Sequence, residues 1–127
     1  MIGIYNGAVT SGNQSGQLVG DSNKITMVLN SSQNQEDIQT IAIRTTEAQY
    51  VTVGDVEISL VGDKANMWCL SEDEVSWGNW GSKLTLSNPN IGNENKLLYI
   101  KAKSVSGEGA MTDLSTSLRV SATIGTV

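Results

Sequence analysis

The 127-residue sequence contains no histidine and no phenylalanine, one cysteine (Cys69) and one proline (Pro89). Without histidine there is no Ser-His or Cys-His nucleophile pair, no imidazole acid–base catalysis and no metal site built on nitrogen ligands. A lone cysteine excludes an internal disulfide and any thiolate cluster. No basic cluster flanks Cys69 to stabilise a thiolate, so it reads as a small buried hydrophobe. Basic residues are few: eight Lys and Arg against thirteen Asp and Glu give a net charge of −5. No basic run exceeds the alternating Lys101 and Lys103, so nucleic acid is repelled rather than recruited. No apolar run approaches the roughly 18 residues of a membrane span, and Met1-Ile2-Gly3-Ile4-Tyr5-Asn6-Gly7 lacks the basic end and apolar centre of a signal peptide. The expectation is a soluble, leaderless chain that engages neither membrane nor nucleic acid.

What the chain does have is polar, turn-rich alternation. Ser, Thr, Asn and Gln make up about a third of the residues, and aromatics 5%, a composition suited to strands with wet outer faces. From 114 to 124 the even positions are Leu114, Thr116, Leu118, Val120, Ala122 and Ile124. The odd ones are Ser115, Ser117, Arg119, Ser121 and Thr123. This period of two marks a strand with one dry face. Lys96–Ser104 repeats it, with Leu98, Ile100 and Ala102 on one side and Tyr99, Lys101 and Lys103 on the other. Read through Gly107-Glu108-Gly109, the segments Lys96–Ser104 and Asp113–Ile124 suggest a hairpin-like pair. Its outer face would then join Tyr99, Lys101 and Lys103 to Ser115, Ser117 and Arg119, and this locally positive face reads first as a solvated sheet face and second as a docking surface for an acidic neighbour.

Further strands are expected near Ile2–Val9, at Lys24–Asn30 with Ile25, Met27 and Leu29 inward, at Ile38–Thr46 through Ile41 and Ile43, and at Lys83–Ser87. Val51–Leu60 reads as two short strands or as one broken at Gly54-Asp55 by a bulge or turn. Residues 30–37 read as an exposed polar loop with room for one helical turn at Gln33–Asp37. No window sustains a helical period. One domain over 1–127, with 1–23 partly loop-like and seven to eight strands in all, makes a two-sheet β-sandwich the leading architecture, with a barrel behind it.

The chemistry left is that of carboxylates. A glycosidase needs two facing Asp or Glu groups, and Glu57, Glu72, Asp73 and Glu74 qualify only by being present. Glu72-Asp73-Glu74 lacks the looped Asp-x-Asp-x-Asp-Gly calcium pattern and reads as a solvated loop. No catalytic residue, cofactor site or metal site is assigned, and the chain is read as a non-enzyme. The sharpest local feature is tryptophan. Trp68 sits in a strand-like run, Asn66–Ser71, and reads as core. Trp77 and Trp80, set among Gly78, Asn79 and Gly81 in a turn, either cap one end of the sandwich or form a platform for a sugar or a protein partner.

At Trp68-Cys69-Leu70-Ser71, Trp77-Gly78-Asn79-Trp80-Gly81, Leu84-Thr85-Leu86 and Leu98-Tyr99-Ile100-Lys101-Ala102 the chain resembles bacterial and phage immunoglobulin-like or fibronectin type III-like domains. Such domains recur in phage tail, baseplate and capsid-decoration proteins and in surface adhesins. The resemblance, over about residues 24–124, implies an immunoglobulin-like β-sandwich with structural or adhesive work in a particle. The expectation is therefore a structural protein of a phage virion, a head decoration or tail component made in the host bacterial cytoplasm. Its partners would be other virion proteins or further copies of itself, with Trp77, Asn79, Trp80, Tyr99, Lys101 and Lys103 as the candidate contact residues. The alternative is a carbohydrate-binding or adhesin module at the bacterial cell surface, using Trp77 and Trp80 on a glycan with Asn79 beside them.

Overall fold

The computed structural model describes residues 2–20, 25, 36–62, 65–103 and 117–127. The expected strand Lys24–Asn30, apart from Ile25, and the turn Gly107-Glu108-Gly109 lie outside them. Eight strands and no α-helix occur among the described residues. They are β1 (Ile2–Asn6), β2 (Gln17–Leu18), β3 (Glu36–Thr45), β4 (Tyr50–Val61), β5 (Trp68–Ser71), β6 (Leu84–Leu86), β7 (Lys96–Lys103) and β8 (Ser117–Thr126). One sheet runs β2-β1-β3-β7-β5 and the other β6-β4-β8, with every pairing antiparallel. The chain is a two-sheet β-sandwich, as the alternating pattern predicts.

Alternation dictates the core. Ile41 and Ile43 of β3, Leu98 and Ile100 of β7 and Leu70 of β5 meet Val56 and Ile58 of β4 and Leu86 of β6, all essentially inaccessible to water. Burying each such side chain contributes about 1.5–3 kcal/mol. Leu118, Val120 and Ala122 of β8 and the indole of Trp68 pack against this cluster while staying half-buried, as does Ile25. Thr52 is buried where β4 passes residues 88–91, and its hydroxyl accepts the Ile91 N–H at 2.8 Å.

Two sequence expectations change. β7 and β8 are not a hairpin: β7 pairs with β3 and β5, β8 pairs with β4, and the chain crosses from one sheet to the other between them. Both strands turn a dry face to the same core from opposite sides, and alternation records the face without recording the neighbour. Glu36 and Asp37, expected in a loop, begin β3 opposite Lys103 and Ala102. The Val51–Leu60 stretch resolves as one strand with a bulge: between Val53↔Thr123 and Glu57↔Ser121, β4 advances four residues while β8 advances two. Gly54, at φ 76°, supplies the left-handed residue there.

The outer face of the five-stranded sheet is covered at one end by residues 7–16. Tyr5 of β1, Ala42 of β3 and Val9 form a second buried cluster, with Leu97 of β7 against it. Arg44 lies over the Tyr5 ring, 3.5 Å from its centroid, and donates to Asn95 Oδ1 at 2.6 Å and to Ser15 O at 3.0 Å. Asn95 Nδ2 in turn donates to Thr10 O and Ser15 O, each at 3.0 Å. Residues 12–16 are thus a folded polar turn. In it Asn13 Oδ1 accepts the Ser15 N–H at 2.9 Å.

Candidate functional site

The other end of that outer face holds the residues singled out in the sequence. On β7, Tyr99, Lys101 and Lys103 alternate with the core residues Leu98, Ile100 and Ala102, and so project away from the core, each half-buried. Their register partners on β5 are Ser71 opposite Tyr99 and Cys69 opposite Lys101. After β5 the chain makes a tight acidic turn at Glu72-Asp73-Glu74 and then returns along the β5 edge. Gly78 N–H donates to Leu70 O at 3.0 Å and Gly81 N–H to Trp68 O at 2.8 Å. These bonds occupy an edge that would otherwise present unpaired backbone groups.

This return strap places Trp77 and Trp80 over the lysines. Lys101 Nζ sits 4.3 Å from the centroid of the Trp77 ring and Lys103 Nζ 4.5 Å from that of Trp80. The ammonium is attracted to the negative face of each indole, by about 0.5–1 kcal/mol where exposed and up to about 2 where desolvated. Both indoles are half-buried, so the strap is both a lid on the sheet and a surface. Asn79 is exposed between them, and its carbonyl accepts the Ser82 N–H at 3.0 Å, closing the turn.

Of the six expected contact residues, Trp77, Trp80, Lys101 and Lys103 form two interlocked pairs. Tyr99 lies on the same face and Asn79 at the tip of the strap. The extension to the other strand does not hold. β8 belongs to the opposite sheet, so Arg119 projects from the far side of the sandwich, and Ser115 lies outside the described residues. Sequence reasoning missed Glu36, whose carboxylate lies 4.0 Å from Lys101 Nζ. Only the β3–β7 register brings the two together, and no local pattern encodes that register.

Two ionisable groups beside the strap are shifted, in opposite directions. Cys69 points to this outer face yet is 2% exposed. Burial pushes its thiol pKa up, only partly offset by Lys101 and Lys103. Asp73 Oδ1 accepts the N–H groups of Ser76 at 2.8 Å and Val75 at 2.9 Å and the Ser71 hydroxyl at 3.0 Å. These bonds hold its carboxyl below the ordinary 3.8. Asp73 is therefore a structural acceptor that shapes the turn leading into the strap. Among the described residues no group of three or more Cys, Asp or Glu side chains converges as metal ligands, and no helix is long and apolar enough to cross a membrane. Comparison with family models, curated proteins and solved structures returns no match.

Proposed function

We propose that this chain is a non-enzymatic structural or assembly protein of a phage or phage-like particle, a head decoration or tail component, acting through protein–protein contact. The observation that carries this reading is the Trp77–Lys101 and Trp80–Lys103 face. It is a pre-organised patch of aromatic and cationic groups, on an otherwise acidic chain. Buried aromatics anchor interfaces when their rotamers are fixed beforehand. Here each indole is already held by a lysine from the rigid sheet. Lys103 has no carboxylate within ion-pair distance among the described residues, which suits an acidic surface on a neighbouring particle protein.

The strand order supports the immunoglobulin-like part of the reading. Taking β1, β3, β7 and β5 as A, B, E and D, and β4 and β8 as C and F, gives the A-B-E-D sheet facing a C-F pair of that Greek key. β6 is added beside C, and no described strand stands in the place of G. The carbohydrate reading, in which Trp77 and Trp80 stack on sugar rings, has less support, because a lysine ammonium already occupies a face of each indole.

The test is whether the chain is found in gradient-purified particles from cells that carry its gene. It should co-migrate with them, and purified protein should rebind particles assembled without it. Trp80→Ala and Lys103→Glu should weaken rebinding by about tenfold or more while the variants stay folded. Absence from the particles would refute the reading. A glycan array with Trp80-dependent binding would replace it with the carbohydrate alternative.

A further inference from the structure

The described strands leave four sheet edges, and these differ in how they end. The β5 edge is taken by the 78–81 strap, β6 is three residues long, and β2 is two residues long, followed by Val19 N–H donating to Ile4 O at 2.8 Å. β8 is ten residues long, pairs on one side with β4, and has no partner on its other side among the described residues. Among the described residues a single charge is the one device on it that blunts an edge. It has no proline, and the bulge lies in β4. Arg119 is its sole charged residue. Leu118, Val120 and Ala122, though packed on the core, remain half-buried.

We infer that β8 is a self-association edge: a second copy of this chain pairs its own β8 antiparallel to it, about a two-fold axis at Val120. Two conditions select this register. To keep the dry faces of both copies on one side of the joined sheet, the two-fold must sit on a residue, because a slip of one position would set inward residues of one copy against outward residues of the other. The charges then choose which residue. A two-fold at Arg119 would set Arg119 against its own copy. A two-fold at Ser121 would set it against Thr123, whose β4 neighbour is Val53. With the axis at Val120, Arg119 faces Ser121 of the second copy, whose β4 neighbour is Glu57.

The serine is small, so Arg119 can extend over it towards that carboxylate. At a strand spacing of about 4.8 Å, the two Cα atoms are roughly 10 Å apart, a gap that the two side chains bridge together. Within its own chain Arg119 has no acidic partner among the described residues. Glu57 turns the other way, to Lys83 on the far side of β4, at 3.2 Å. The exposed Glu57 carboxylate would thus lie between Lys83 and Arg119 of the second copy, once on each side of the axis. Leu118 meets Ala122 and Val120 meets Val120, so the half-buried residues of both edges gain cover. The edge lies on the opposite sheet from the Trp77–Trp80 face, and the inference does not depend on the particle reading.

The experiment is sedimentation equilibrium on the purified chain across a wide concentration range, with far-UV circular dichroism as the check on folding. The expected result is a reversible monomer–dimer equilibrium for the wild type. Arg119→Glu places like charges across the interface and should weaken dimerisation by about tenfold or more. Arg119→Glu combined with Glu57→Arg should restore it. A wild type that stays monomeric at every concentration overturns the inference. So does a dimer that Arg119→Glu leaves unchanged, or one that the charge swap fails to restore.

Discussion

Asn95 should be worth far more to this fold than a loop asparagine normally is. It is 5% exposed, just before β7, and does three things at once: it accepts from Arg44 Nη1 at 2.6 Å and donates to the carbonyls of Thr10 and Ser15. Arg44, itself 9% exposed, has no carboxylate within ion-pair distance among the described residues. Its charge is met by two oxygens and the Tyr5 ring. In Asn95→Ala the guanidinium loses its shorter acceptor while staying buried. A hydrogen bond to a charged group contributes about 1.5–3 kcal/mol, and leaving two carbonyls without their donor adds about 1 kcal/mol where water does not replace it.

The expected loss is about 2–4 kcal/mol, a large part of the roughly 5–15 kcal/mol a domain of this size holds. It should appear as a fall in the urea midpoint with unchanged m, and as a drop in Tm of about 8–15 °C. A double-mutant cycle with Arg44→Met isolates the pair, with a coupling of about 1.5–3 kcal/mol expected. The loop gives an independent readout. Gly12 N–H donates to Asn95 O and Asn95 N–H to Asn13 O, so amide exchange in residues 7–16 should quicken in the variant. A coupling below about 0.5 kcal/mol, or a stability change within that range, would refute the claim that this polar bridge holds the loop to the sheet.

Leu98→Ala, at a site with no exposure between the sheets, should cost about 2–5 kcal/mol by urea denaturation, and a smaller loss would mean the core collapses around it. Gly54→Ala has open space at its Cβ but a φ of 76°, so its cost should be about 1–2 kcal/mol of backbone strain alone. Gly16→Ala, where the new Cβ would collide with Val9 Cγ1 and lie 3.0 Å from Asn6 O, should be the worse of the two in the same assay. The Cys69 thiol, raised by burial from 9.0, should resist an aromatic disulfide reagent until the chain unfolds. Its contribution to stability is present below pH 9 and is lost as pH rises through the raised value. Asp73 has the opposite sign: its folded pKa lies below 3.8, so its contribution is present above that pH and fades as pH falls below it. Asp73→Ala should remove that part of the acid dependence in a pH titration of Tm.

Which faces are dry was legible in the sequence, and which strands are neighbours was not. The alternation of Leu98, Ile100 and Ala102 with Tyr99, Lys101 and Lys103 is a local property of eight residues, so it can be read without knowing what lies beside them. The break at Gly54-Asp55 was visible for the same reason, since a glycine inside an apolar run marks a bulge whatever the partner strand is. Partner choice is set by the global packing of two sheets. It moved β8 away from β7, and with it separated Arg119 from Lys101 and Lys103. The Arg44–Asn95 bridge is hidden more deeply, because an arginine within an apolar strand and an asparagine before another carry no periodic signal that links them.

The tryptophan strap lies between these cases. Gly78, Asn79 and Gly81 announce a turn, and two indoles in a turn announce that something must cover them or be covered by them. Only the β5–β7 register shows that the cover is a pair of lysines from the adjacent strand. That register turns two tryptophans and two lysines into one surface. The charge pattern noticed on β7 and the aromatic pattern noticed at Trp77–Trp80 are therefore the same feature, seen from two places in the chain. A mutation in either should be felt by the other. Lys103→Ala should alter the emission of Trp80, isolated by replacing Trp68 and Trp77 with phenylalanine. Unchanged emission and unchanged quenching by iodide would mean that the ammonium does not rest on the ring in solution.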